Sequence, residues 1–291
     1  MLKNADIHLR DPFVVPIRAE NRYYLYGTRG HECWTPSATG TDYYTSTDLQ
    51  NWEGPFPAFL PPAGFWADRN FWAPEVHAYD GRYYMFITLK AEGVCRGTQI
   101  LAADSPKGPF LPISERPITP PDWECLDGTL FVDGEQRPWM VFCHEWVQVG
   151  DGEICAVRLS PNLETAINQP HVLFRASQAP WAQELVSRNR RGYVTDGPFV
   201  HRLANGTLLI LWSSFNNGAY TVGIARSLSG DILGPWQQIP EPLYAADGGH
   251  CMVFRDFEGA LWLAFHSPNP TPNERPHFVR LHENSDALGI L

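Results

Sequence analysis

The chain has 291 residues, a formal net charge of -10 at pH 7, and 11 tryptophans within an aromatic share of 13%. This balance argues against nucleic acid as a partner, since phosphate binding needs clustered cations. No basic amphipathic stretch suits a membrane surface, and no apolar run approaches a bilayer span. Lysine occurs only three times, at Lys3, Lys90 and Lys107, and no glycine-rich loop precedes a helix, so nucleotide and Schiff-base chemistry lack support.

The chain begins without a basic-then-apolar leader, and its six cysteines (33, 95, 125, 143, 155 and 251) form no C-x-x-C pair. The expectation is reduced, mostly buried thiols in a cytoplasmic protein.

In chain order, Asp11 and the apolar run to Val15 precede Tyr23 to Tyr26, two strands around a polar turn. Asp42 to Asp48 then leads to Trp52 and reads as a third strand, a turn and a short fourth strand. The phrase returns at Pro74, Glu75, Val76 and His77 before Gly81 to Phe86, with Gln99 to Ser105 as its second half. Its clearest copy is Leu126 to Trp146, where Asp127 opens the run Thr129 to Val132, Asp133, Gly134 and Glu135 make the turn, and Trp139 to Cys143 returns. Asp196 to Val200 before Gly206 to Trp212 is the fourth copy, with Tyr220 to Ser227 behind it, and His250 to Phe254 before Gly259 to Phe265 is the fifth. Only Ala179 to Arg191, ahead of Gly192, reads as helical. Five strand-rich copies of about four strands each predict an all-β, five-bladed propeller occupying 1-291 as one domain. The lead residues 11, 75, 127, 196 and 250 would then meet at one mouth of the central channel.

These phrases, Arg10-Asp11-Pro12-Phe13, Phe71 to His77 with Gly81-Arg82-Tyr83-Tyr84, Leu126-Asp127-Gly128, Thr195-Asp196-Gly197-Pro198, and Gly249-His250 with Phe265-His266, resemble the five blade signatures of glycoside hydrolase family 43. The resemblance runs nearly the whole chain. It implies a five-bladed propeller hydrolysing arabinofuranosyl, xylosyl or galactofuranosyl bonds with inversion, exo-acting on terminal sugars of oligosaccharides or polysaccharide side chains. Carried over by position, Asp11 matches the general base, Asp127 the acid that tunes the donor, and Asp196 the proton donor. The family usually has Glu before Gly-Pro, so Asp196 is one methylene short. Glu145 is therefore a rival donor, and Glu184 a more distant one.

Inversion needs one carboxylate to activate water and one carboxylic acid to protonate the leaving oxygen. A third charged neighbour keeps the donor protonated by like-charge repulsion. Each of the three aspartates precedes Gly or Pro and also suits a turn, but each stands before its strand and not inside the hairpin loop. The resemblance further implies substrate contacts at Glu75 and His77, and an ion, calcium or another, near His250. No cofactor is expected for the chemistry itself. Trp34, Trp66, Trp72, Trp146 and Trp181 lie in or beside mouth segments where flat rings stack on sugars. Glu145 and Arg275 complete the expected substrate contacts. A propeller that kept the fold but lost its acid, binding carbohydrate without cleaving it, is the alternative reading.

Overall fold

The computed structural model describes residues 1-30, 32-36, 39-187 and 189-291. Five antiparallel sheets form the blades of a propeller, and each is built from consecutive strands counted outward from the channel. Blade 1 is Leu9–Ile17, Arg22–Arg29, Thr41–Ser46 and Asn51–Phe59, with Leu2–Lys3 added on its outer edge. Blade 2 is Arg69–Tyr79, Arg82–Ala91, Val94–Ala103 and Leu111–Pro112. Blade 3 is Cys125–Val132, Pro138–His144, Glu153–Arg158 and His171–Arg175. Blade 4 is Asp196–Arg202, Leu208–Asn216, Ala219–Ser227 and Trp236–Gln238, and blade 5 is Gly249–Arg255, Leu261–Ser267, Arg275–Glu283 and Leu288–Ile290.

Apolar side chains pack between neighbouring blades. Tyr24, Tyr26, Trp52 and Phe59 of blade 1 share a core with Phe71, Met85 and Ile87 of blade 2 and Met252 and Phe254 of blade 5. The ring therefore closes through side chains: Tyr23 stacks on Phe257 at 4.2 Å, and Arg10 pairs with Glu274. The described cysteines are all free, and five of the six are buried.

One irregularity recurs in every inner strand. Register with the second strand slips between Arg10 and Phe13, Trp72 and Glu75, Leu126 and Thr129, Asp196 and Phe199, and Gly249 and Met252. These are β-bulges, each with its first residue in the left-handed region: Asp11 (φ 54°), Ala73 (44°), Asp127 (57°), Gly197 (48°) and His250 (49°). Three bulges continue with proline, at Pro12, Pro74 and Pro198, where the missing N–H costs no ladder bond. The equivalent positions are thus 11, 73, 127, 197 and 250. Glu75 lies two residues beyond its bulge and Asp196 one residue before its own, which corrects the alignment of lead residues read from the sequence.

The segment expected to be helical is not. Ala176–Gln178 form a single 3-10 turn, and Leu185–Ser187 pairs with Arg190–Gly192 as a two-stranded hairpin; Arg188, within the expected helix, lies outside the described residues. Tertiary contacts override the local preference here. Trp181 is drawn into the core between blades 3 and 4 against Trp212, at 4.9 Å. The Gln183 amide donates to Phe215 O and the Tyr193 amide to Gly150 O, so both ends of the hairpin are tied to neighbouring blades.

Two hairpin turns use the same device. Asp133 Oδ1 accepts the amides of Glu135 and Arg137, and its Oδ2 accepts Trp139 Nε1–H at 2.9 Å. Asp256 does the same for Glu258, Ala260 and Trp262 in blade 5. Asp133→Ala would leave the buried indole N–H of Trp139 without a partner. We expect a loss of about 1–3 kcal/mol in denaturant unfolding, and Asp256→Ala to behave alike.

Candidate active site

The bulged ends of the inner strands open into a cavity of about 940 Å³ lined from all five blades. Asp11, Asp127, Asp196 and His250 all face it. The bulges place Asp11, Asp127 and His250 there, because a left-handed residue turns its side chain out of the regular alternation, and Asp196 stands directly before the left-handed Gly197.

Asp11 Oδ2 accepts the Thr28 hydroxyl at 2.6 Å, and its Oδ1 lies 3.3 Å from His250 Nδ1. The Asp11 amide donates to His266 Nδ1 at 3.2 Å. That nitrogen is therefore an acceptor, and the His266 proton sits on Nε2, facing Asn269 Oδ1 at 3.2 Å. Burial, reinforced by the Arg10 charge, pushes His266 down to about 3, so it is neutral. For Asp11, burial alone would raise the carboxyl, but the facing imidazoles of His250 and His266, the Arg10 guanidinium and the Thr28 bond outweigh it and hold it below its ordinary value. With His266 neutral, the cations responsible are His250 and Arg10. Burial would lower His250 in turn, yet Asp11, Asp127, Glu75 and Asp196 together raise it.

Asp127 and Asp196 are placed in the opposite sense. Asp127 Oδ2 accepts the Gly197 amide at 3.0 Å and lies 3.6 Å from His250 Nδ1. Burial raises its carboxyl, the charges of Asp11 and Glu75 add to this, and His250 and the Gly197 amide oppose it. Asp196 shares a hydrogen bond of 3.1 Å with the Tyr220 hydroxyl. It is pushed up to about 7, first by burial, then by the Asp127 charge with a contribution from Glu145; His250 and Tyr220 oppose the shift. One floor thus holds an ionised carboxylate at Asp11 and a carboxylic acid at Asp196 that keeps its proton near neutrality. Such a pair can take one proton and give another.

The wall above blades 1 to 3 is a chain of cations and rings. The Arg10 guanidinium stands over Trp34 at 5.4 Å, Trp34 meets Trp72 edge-on at 5.2 Å, and Arg96 stands over Trp72 at 4.8 Å. Trp72 Nε1–H donates to Cys33 O, and Trp34 Nε1–H to Thr271 Oγ1. Arg96 forms an ion pair with Glu145, and Lys90 pairs with Glu124. Burial raises the Glu145 carboxyl despite Arg96. Trp146 lines the cavity from the short helix Trp146–Val149, beside Leu185, Ser187 and Arg190 of the hairpin.

Several expected contacts fall elsewhere. Glu75 is buried and His77 nearly so; they pair at 3.0 Å below the floor and do not line the cavity. The two-residue offset past the bulge at Ala73 carries them down the channel. Arg275 is tied to Ala5 O, Pro272 O, Glu274 O and the His8 ring, away from the cavity. Trp66 bonds Gln99 and Trp181 is a core residue, so of the five expected tryptophans Trp34, Trp72 and Trp146 remain at the mouth. Glu184 is on the surface, paired with Arg191. His250 Nδ1 faces the carboxylates of Asp11 and Asp127 as an ion-pair donor, and no group of three or more His, Cys, Asp or Glu side chains that could hold a metal ion occurs among the described residues. Tyr220, Arg96 and Asn269 were missed by the sequence reading. Tyr220 is the second residue of the third strand of blade 4, and nothing local in the sequence says that it reaches Asp196.

The model of Glycosyl hydrolases family 43 matches residues 6–284. The chain belongs to this family. Among solved structures it is similar to the endo-arabinase from Bacteroides thetaiotaomicron VPI-5482, with a TM-score of 0.92 and 43% identity over 98% of each chain. Matches to curated relatives are partial. One is 33% identity over 82 residues with the xylosidase/arabinosidase 43A of Humicola insolens, 28% of this chain and 24% of that protein. Another is 32% identity over 102 residues with a xylosidase/arabinosidase of Bacteroides ovatus, 35% of this chain and 29% of that protein.

The floor makes an electrostatic prediction that needs no substrate. If the Asp127 charge helps hold the proton on Asp196, Asp127→Asn lowers the Asp196 midpoint below about 7. Carboxyl ¹³C NMR titration measures it, and an unchanged midpoint would leave the shift to burial and Glu145.

Proposed function

We propose that this family 43 glycosidase hydrolyses α-L-arabinofuranosyl bonds of arabinan-type chains with inversion, cutting within the chain. The observation that carries the reading is the split floor: Asp11 held below the ordinary carboxylate range and Asp196 raised to about 7 in one cavity. The 43% identity to an endo-arabinase over 98% of both chains supports the sugar and the internal cut. A cavity of about 940 Å³ is at the upper end for ligand sites and has room for more than one sugar ring. The similarity to an endo-arabinase is the ground for preferring internal cleavage to the exo action expected from the sequence.

Asp11, ionised and fixed by Thr28 and His250, takes a proton from water as that water attacks the anomeric carbon. Asp196 gives its proton to the departing glycosidic oxygen. Asp127 contributes charge, keeping the Asp196 proton in place, and its bond to the Gly197 amide ties it to the strand carrying Asp196. The two working carboxyls of an inverting enzyme stand roughly 6.5–9.5 Å apart to admit water; Asp11 and Asp196 face one cavity from blades 1 and 4. Short as it is, the Asp196 side chain lines the cavity and accepts the Tyr220 hydroxyl. Trp34, Trp72 and Trp146 supply flat faces for further sugar rings. Burial raises the Glu145 carboxyl in spite of its ion pair with Arg96, so the choice between Glu145 and Asp196 as donor falls to the leaving-group test.

The test uses debranched arabinan, xylan and galactan, followed by aryl arabinofuranosides of graded leaving group. Release of oligosaccharides from arabinan, with an inverted anomer in early ¹H NMR spectra, is the expected result. Asp11→Asn abolishes turnover while sugar binding persists. Asp196→Ala loses about 10²–10⁴ in rate on poor leaving groups and far less on activated ones, whereas Glu145→Gln shows no such selectivity. The opposite pattern would move the donor role to Glu145. Binding of arabinan without turnover of any substrate would identify a carbohydrate-binding propeller instead.

A further inference from the structure

The five bulges are joined by a ring of hydrogen bonds with one interruption. The residue paired with each pre-bulge position lies on the second strand of its blade: Thr28, Thr88, Cys143, Ser213 and His266. Four of these accept the bulge amide of the following blade. Thr28 Oγ1 takes Ala73 N–H at 2.7 Å, Thr88 Oγ1 takes Asp127 N–H at 2.8 Å, Ser213 Oγ takes His250 N–H at 2.9 Å, and His266 Nδ1 takes Asp11 N–H at 3.2 Å. The fifth place, in blade 3, holds Cys143, and the amide it would serve, Gly197 N–H, goes to Asp127 Oδ2 at 3.0 Å. A thiol sulfur is a weak acceptor beside a hydroxyl or an imidazole nitrogen.

We propose that Cys143 is a positioning residue: by withholding the acceptor that every other blade provides, it leaves the Gly197 amide to the Asp127 carboxylate and so fixes that carboxylate against the neighbouring Asp196. The interruption falls at the one step of the ring between Asp127 and Asp196. Cys143 is fully buried, within reach of Thr195 and close to both aspartates, and burial pushes its thiol well above the ordinary value, so it adds no charge there. Gly197 is suited to the arrangement: φ is 48°, and a Cβ there would stand 2.7 Å from His250 Cγ. The charged and titratable groups facing the pair are Asp11, His250 and Glu75 around Asp127, and His250, Glu145 and Tyr220 around Asp196. None of them occupies the Gly197 amide.

This inference rests on the proposed roles of Asp127 and Asp196, and two readouts separate the two. The first needs no activity. In ¹H–¹⁵N spectra the Gly197 amide of the native protein shifts with the titration of Asp127; in Cys143→Ser the hydroxyl accepts the amide and the response is lost, while Cys143→Ala, lacking any acceptor, keeps it. Cys143→Thr, matching Thr28 and Thr88, carries the same expectation as serine should the serine variant fold poorly. The second readout is the pH profile of kcat/KM. With Asp127 released, its charge acts on Asp196 from farther away, Asp196 gives up its proton at lower pH, and the alkaline limb moves down in the serine variant, with roughly tenfold slower turnover of poor leaving groups, the scale of one charge-assisted hydrogen bond. The alanine variant keeps the native limb even though it loses more packing. A native-like Gly197 response in Cys143→Ser, or serine and alanine variants that behave alike, would overturn the proposal. A native protein that turns over no glycoside would overturn the functional reading, and the Gly197 response would still decide this one.

Discussion

A residue at positive φ is normally glycine's place, and four of the five bulges fill it with something else: Asp11, Ala73, Asp127 and His250. Each such residue costs on the order of 1–3 kcal/mol unless its surroundings fix it. What fixes it here is the neighbouring blade, whose second strand accepts the bulge amide at every step but one. The bulge turns the side chain into the channel and the next blade locks it there. The geometry of the floor is therefore a property of blade-to-blade packing, and it depends on the same closure that holds the ring together through Arg10, Glu274 and the shared aromatic core.

Within that frame, burial sets the scale of the electrostatics and the neighbours set the sign. Asp11, Asp127 and Asp196 all lose water, which by itself raises all three. Asp11 escapes because it faces His250 and Arg10 and accepts the Thr28 hydroxyl. Asp196 has a like charge nearby and only His250 and a phenol in opposition, so it keeps its proton. Two carboxyls of the same chemical type are thus given opposite tasks by their partners.

The rim is built differently. It is made of side chains whose partners are one another: Arg10, Trp34, Trp72, Arg96 and Glu145 in one chain of contacts, with the hairpin Leu185–Ser187 and Arg190–Gly192 on the other side. Cations held over rings stiffen those rings at little cost in charge, since Arg10 is matched by Glu274 and Arg96 by Glu145. A wall of this kind offers flat apolar faces and few unpaired charges, which suits neutral sugars.

Five hairpins in order, a channel-facing acid in the first, third and fourth, and a histidine in the fifth were legible from the sequence, because hairpin turns and strand alternation are local and because Asp-Pro, Asp-Gly and Gly-His stand within one residue of the bulge in the first, third, fourth and fifth copies. Register was not legible. Whether Glu75 or Ala73 opens the second bulge, and whether Asp196 or Gly197 opens the fourth, depends on which amide the preceding blade accepts, a contact between residues some 45 to 70 positions apart. For the same reason the stretch from Ala179 to Arg191 read as a helix: its composition permits one, but Trp181 is drawn between two blades and the chain must turn back. Arg275, Glu75 and His77 have the chemistry of ligand contacts and face elsewhere, while Tyr220 and Arg96 carry no local signature and reach Asp196 and Glu145 respectively. Sequence determined which residue types this protein has available at the mouth of its channel; closure of the ring decided which of them meet, since only packing between blades converts separation along the chain into distance.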